Sequence, residues 1–156
     1  MASRTVAWDA GEPIPRTPFR HLIKAADTDG RFSAQSAVIR PGRLVIPHSH
    51  RYEDEFTFVF RGRIGSRVGD QDEVVDEGGF LFKPRGIVHA MWNPTDVDAI
   101  LLEFISPAGF EGFFEEMSAL QEGAPVEAVR EIAVRYGQTP HPELIAELSD
   151  LYGVSM

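Results

Sequence analysis

Four residues carry the chemistry this sequence could perform: His48, His50, Glu55 and His89. Three imidazoles and one carboxylate suit a divalent transition metal, because neutral imidazole nitrogen and carboxylate oxygen both bind such ions. They leave one or two coordination positions free, which separates a working site from a closed structural one. An ion held this way can take dioxygen or a substrate oxygen, polarise a carbonyl or enol, or acidify a bound water. Imidazole suits Fe, Mn, Ni, Co and Zn alike, so one divalent ion per chain is the expected cofactor and its identity stays open. Glu55 has two roles open to it. It can be a ligand, or it can swing free as the catalytic base against a hydroxyl-bearing substrate. Glu53 and Asp54 stand beside it and compete for either role.

Strands are the elements that can converge these groups. His48 and His50 are two residues apart and leave the same face of a strand. The strand Arg43 to His50 is therefore expected to carry Leu44, Ile46, His48 and His50 on one side. Glu55 lies an odd number of residues from His50, so the polar Arg51 to Asp54 must turn before a new strand opens at Glu55 and runs to Arg61. Pro84-Arg85-Gly86 is a turn, since proline presets φ and glycine accepts positive φ. It delivers a strand from Ile87 to Trp92 that bears His89, with Trp92 on the opposite face. A substrate pocket is then expected to be walled by Leu44, Ile46, Val59, Ile87 and Met91, with Thr57 and Asn93 as its polar groups. Such a wall favours an apolar or aromatic small molecule. If Glu55, Thr57 and Val59 point inward, Phe56, Phe58 and Phe60 point outward. That apolar patch needs cover from a second subunit or from the C-terminal helices, and a homodimer is expected.

The spaced groups Gly42-x5-His48-x-His50-x4-Glu55-x6-Gly62 and Gly78-x5-Pro84-x-Gly86-x2-His89-x3-Asn93 resemble the two motifs of the cupin superfamily at all ten fixed positions. The short segment between them, Arg63 to Glu77, is similar to that of small microbial single-domain cupins. The resemblance implies an all-β jelly-roll barrel with His48, His50, Glu55 and His89 as metal ligands. The helical tail that follows resembles the small quercetinase-like cupins of bacteria. That implies a metal-dependent dioxygenase acting on an aromatic or enol-bearing molecule. The same centre would serve a non-redox isomerase, cyclase or lyase, and the fold also hosts binding modules without catalysis.

The remaining chain divides into an arm at 1–31, the barrel at 32–106 and a helical extension at 107–156 packed on it, one domain overall. Pro13, Pro15 and Pro18 make the arm irregular, with Trp8 and Phe19 as anchors. Asp27-Thr28-Asp29-Gly30 reads as a hairpin turn. Ser106-Pro107 signals a helix start, after which Phe110, Phe113, Phe114, Met117 and Leu120 form an apolar stripe. That stripe is expected on the outside of the barrel, with a lid over its mouth as the alternative. Pro125 and Pro142 open two further helices, ended by Gly137 and Gly153. His21 and His141 are expected to face solvent or cap an element. The length of 156 residues suits one domain, and 43% hydrophobic with 25% charged residues is ordinary for a globular chain. A net charge of -9 opposes nucleic-acid and anionic-membrane partners. The chain has no cysteine, so ligation falls to histidine and carboxylate. No leader or transmembrane run is evident, and a cytoplasmic location is expected.

Overall fold

Period-two burial organises most of the chain. A computed structural model describes residues 5–121 and 123–156, so the first four residues of the expected arm lie outside the described residues. The elements run β1 (Glu12–Pro13), β2 (Phe19–Ile23), α1 (Ala25–Thr28), β3 (Ser33–Ile39), β4 (Leu44–His50), β5 (Asp54–Arg61), β6 (Arg63–Val68) and β7 (Gln71–Asp76). They continue with β8 (Phe80–Lys83), β9 (His89–Trp92), β10 (Ala99–Ser106), α2 (Glu111–Ala119), α3 (Val126–Arg135), β11 (Gln138–Pro140) and α4 (Glu143–Tyr152). A six-stranded antiparallel sheet, ordered β1-β2-β3-β10-β5-β8, faces a five-stranded one ordered β11-β4-β9-β6-β7. The two form a jelly roll whose sheets do not join into one closed barrel. Among the described residues no helix is long and apolar enough to cross a membrane.

The interior is graded along the strands. At one end Ala37, Val59, Leu101, Ile64 and Met91 form an apolar core, each large side chain contributing roughly 1.5–3 kcal/mol on burial. One step along, the inward positions turn polar: Gln35, Glu103 and Thr57 lie side by side in register across β3, β10 and β5. One step further Glu55 faces Lys83 across β5 and β8. The apolar end anchors the strands and lets the other end hold charge.

β5 follows its expected parity, with Glu55, Thr57 and Val59 buried and Phe56 and Phe60 exposed. The C-terminal helices do not cover that outer face. α4 packs on the other sheet, where Leu148 and Val154 join Leu44, Ala90 and Trp92. Phe56 stacks on Phe82 and Phe58 meets Phe80 at a tilt, leaving Phe80 70% exposed on edge strand β8. Trp8 comes within 6.2 Å of Phe60.

The structure departs from the expected boundaries in four places. β1 and β2 already pair within the six-stranded sheet, so the arm is part of the sheet. Asp27 to Gly30 is not a hairpin; α1 ends there, with Asp29 in the left-handed region at φ 53. Ser106 is the last residue of β10 and its hydroxyl donates to the Arg31 carbonyl, which leaves α2 to begin at Glu111. The tail also contributes a strand: β11 pairs with β4 along His48, Ser49 and His50. Pro140 is tolerated there because β11 is an edge strand.

Candidate metal centre

β4 brings its histidines inward by breaking parity. Val45 pairs with Met91 and His48 with His89, so three steps on β4 match two on β9. This is a β-bulge, and Pro47 sits inside it, a residue without the N–H a regular ladder needs. Before the bulge Leu44 pairs with Trp92 and faces α4. After it His48 and His50 face the interior.

The donor atoms of His48, His50, Glu55 and His89 all lie within 4.8 Å of one another. His48 Nε2 is 3.3 Å from His89 Nε2, Glu55 Oε2 is 3.1 Å from His89 Nε2, and Glu55 Oε1 is 3.2 Å from His50 Nε2. His48 Nδ1 donates to the Ile46 carbonyl at 2.7 Å and His89 Nδ1 to the Ile87 carbonyl at 3.1 Å. A carbonyl only accepts, so both Nδ1 atoms carry a proton, and in the neutral rings that ligate a metal both Nε2 atoms present lone pairs. Two such lone pairs facing each other at this distance suit a cation between them. Neither ring nitrogen of buried His50 makes an aligned hydrogen bond, although Nδ1 lies 3.6 Å from Glu53 Oε2. Glu53, Glu55 and Glu103 are buried with a single buried ammonium, Lys83. When all are ionised and His50 is neutral, as a ligand must be, this leaves two negative charges unmatched, the complement of a divalent ion. The residues present therefore fit the expected metal.

The protonation states follow from the same packing. Burial, followed by the electrostatic influence of the neighbouring imidazoles His89 and His50, pushes His48 well below the ordinary imidazole value. Burial also opposes charge on His50, but Glu55 and Glu53 outweigh it and raise His50 to about 9. Burial alone would raise Glu55; the Lys83 ammonium and His50 hold its carboxyl well below the usual range. Burial opposes charge on Lys83 too, and Glu103 and Glu55 outweigh it and raise the ammonium's pKa.

The rivals of Glu55 point elsewhere. Asp54 pairs with Arg85, its Oδ2 2.6 Å from Nη2, and Glu53 backs the His50 ring. The expected pocket residues do not form one wall. Leu44 lies outside under α4. Val59 and Met91 belong to the packed core. Ile46 and Ile87 supply carbonyls to the histidines, and the Ile87 side chain is 40% exposed. Asn93 ties its own turn, with Nδ2 donating to the Ile39 and Val97 carbonyls. Thr57 donates to Glu103 Oε1 at 2.7 Å.

Four contributors were missed from the sequence. Lys83 Nζ lies 2.8 Å from Glu55 Oε2 and also bonds Glu103. Glu103 interrupts the inward run Leu101 to Ile105, and that interruption was its available signal. Phe110, 2% exposed, stands edge-on to His50 with ring centroids 4.3 Å apart. The apolar stripe of α2 thus begins at the mouth of the site. His21 is buried, not solvent-facing, and edge-on to Phe114. His141 is half-buried and precedes α4 without capping it: its backbone N–H donates to the Pro47 carbonyl and its Nδ1 meets the Glu143 side chain.

Residues 36–105 match the model of the cupin domain family. Over 71 residues the chain is 32% identical to protein SchB of Streptomyces halstedii, covering 46% of this chain and 51% of SchB. The match thus spans about half of that relative's length. Among solved structures, a Klebsiella pneumoniae protein of unknown role with a double-stranded β-helix domain superposes with a TM-score of 0.59 at 17% identity. That similarity covers 69% of this chain and 93% of the other. A predicted oxalate decarboxylase from Thermotoga maritima gives 0.55 at 21% identity, covering 57% and 78%. At these identities the structural likeness speaks for the fold alone.

Proposed function

The chain carries a cupin domain over residues 36–105, and from that premise we propose that it is a metal-dependent enzyme, a dioxygenase acting on an enol-bearing small molecule. The observation that supports this is the buried donor set of His48, His50, Glu55 and His89 within 4.8 Å, set against the ring of Phe110. A divalent ion there would supply Lewis acidity and, if redox-active, access to dioxygen. The protein's own groups do the rest. Glu55, paired with Lys83, serves as a ligand, and a carboxylate committed to the ion is not free to act as the base. The enol proton passes instead to Glu103 Oε2, a buried carboxylate oxygen with no hydrogen-bond partner. Phe110 and its neighbours Phe113 and Phe114 exclude water from that transfer.

That same free oxygen favours a second possibility, a non-redox isomerase, cyclase or lyase in which Glu103 shuttles the proton and no oxygen is used. An oxygen electrode decides between them. Protein loaded in turn with Fe, Mn, Co, Ni and Zn is offered a panel of enols. Oxygen uptake with one of the redox-active ions supports the dioxygenase, substrate turnover without uptake supports the second, and binding without turnover sinks both.

A further inference from the structure

Phe110, just before α2, stands edge-on to His50, and Phe113 and Phe114 pack on Phe110. Gly109 and Gly123 flank the helix at φ 126 and 79, and nothing lies within 4 Å of where a Cβ would stand on either. Both positions leave the backbone free to turn. Glu111 ties the first turn of α2 to the body, its Oε1 accepting the Ala25 N–H at 2.6 Å. Midway, Lys24 lies 3.4 Å from Glu115, and Glu116 pairs with Arg135 and accepts from the Tyr136 hydroxyl. The two ion pairs are exposed and of a kind worth little. A residue from the start of the chain closes the far end. Arg16 stands in the turn between β1 and β2, and its Nη2 lies 2.7, 3.0 and 3.0 Å from the carbonyl oxygens of Met117, Ser118 and Leu120. At the end of a helix such carbonyls lack helical partners, and the helix dipole favours a cation. Arg16 itself sits at φ 61, a left-handed conformation unfavourable for any residue with a Cβ. Among the described residues Asp29 is the only other non-glycine there, and it ends α1. Strain of this kind persists only where the surroundings hold it. Here the strained backbone and the reach to α2 belong to the same residue.

We infer that Arg16 is the latch of a movable cover: α2 undocks as a unit to admit an ion or small molecule to the metal centre, and the Arg16 guanidinium holds its C-terminal end shut between openings. Local openings of this kind draw on the weakly tied parts of a fold. The inference rests on the metal-centre reading above, and the test separates the two. A guanidinium has no lone pair to give a metal, so Arg16 acts on access and not on ligation. A gate speeds entry and exit alike and leaves affinity unchanged, whereas damage to the donor set weakens affinity.

Zinc uptake, and zinc release to a chromogenic chelator, are timed by stopped flow for the full chain and its Arg16→Ala and Arg16→Lys variants. Chelator competition at equilibrium gives the affinities. The expected result is that Arg16→Ala raises both rates about tenfold, the worth of one hydrogen bond to a charged group, with affinity within about twofold of wild type. Arg16→Lys keeps a cation at the helix end and should return both rates to within about threefold of wild type. Unchanged rates in Arg16→Ala, or faster release matched by weaker affinity, overturn the latch. Hydrogen exchange on the metal-free wild type judges the cover without a variant or a metal. The amides of α2 should exchange well ahead of those of β10, and exchange of the two in step overturns the cover. If no zinc binds to the wild type, the metal-centre reading fails and exchange decides the latch alone. Arg16→Ala should then quicken the α2 amides about tenfold and leave β10 unchanged, and an α2 no faster than in the wild type overturns it.

Discussion

Lys83 Nζ lies 2.8 Å from Glu55 Oε2, and the two residues are direct cross-strand partners on β8 and β5. The ammonium is 1% exposed and also bonds Glu103. A buried cation beside a metal ligand competes with the metal for the same carboxylate. Lys83→Met removes that competitor and deprives two buried carboxylates of their shared ammonium, a loss of roughly 3–5 kcal/mol in chelated protein. The melting temperature of the chelated variant should fall by about 10 °C. Zinc then takes over as partner to Glu55, so the rise on adding zinc should exceed that of the wild type. Equal melting of the two chelated proteins would sink the pair's structural role.

Metal binding should release a proton near neutral pH. With a pKa of about 9, His50 is protonated in the metal-free site at pH 7.5 and must lose that proton to ligate. Apparent affinity should therefore climb as pH rises towards 9 and level off above it. Stability of the chelated protein moves the other way. His50 has a folded pKa above its unfolded value of about 6.5, so its contribution is complete below pH 6.5 and is lost as pH rises through about 9. Calorimetry at pH 7.5 in two buffers of different ionisation enthalpy reads the proton count, and a count of zero would contradict the Glu53 and Glu55 environment of His50.

How much of this was legible in the sequence depends on which residue is asked. On β5 the alternation of Glu55, Thr57 and Val59 with three phenylalanines runs unbroken, so parity alone placed all six. On β4 Pro47 introduces a bulge, and parity counted through it put Leu44 on the wrong face while His48 and His50 kept theirs. Lys83 and Glu103 were overlooked because a charged residue on a strand ordinarily marks the solvent face. Only register reveals that Lys83 sits opposite Glu55 and Glu103 opposite Thr57. The position of Phe110 was open for a different reason. Its helical stripe is plain in the sequence, but whether the stripe meets the mouth or the flank depends on where the chain leaves β10.

The histidines that face each other should be separable from folding. The apolar end of the interior is built from side chains such as Val59, Leu101 and Ile64 packed on one another. His48→Ala or His89→Ala should lower metal affinity at least a hundredfold and leave the β-sheet circular dichroism intact. Elemental analysis of protein purified without chelator or metal-affinity resin gives the answer. Full metal content in either variant would remove that residue from the ligand set.

The outer face of the six-stranded sheet is where a second copy of the chain should dock. Phe80 and Phe82 are 70% and 51% exposed on the edge strand β8, and Phe56 and Phe60 continue the patch on β5. With a net charge of -9 two copies repel overall, and an exposed aromatic patch supplies the apolar contact that offsets it. A two-fold contact would pair each patch with its own copy. Phe80→Glu puts like charges at the centre of that contact while disturbing little else, because the side chain is already mostly exposed. The expected outcome in sedimentation velocity is a dimer for the wild type and a monomer for the variant, both with the same melting temperature when the wild type is diluted to its monomer. A wild type that sediments as a monomer at high concentration would exclude this face as a homodimer contact.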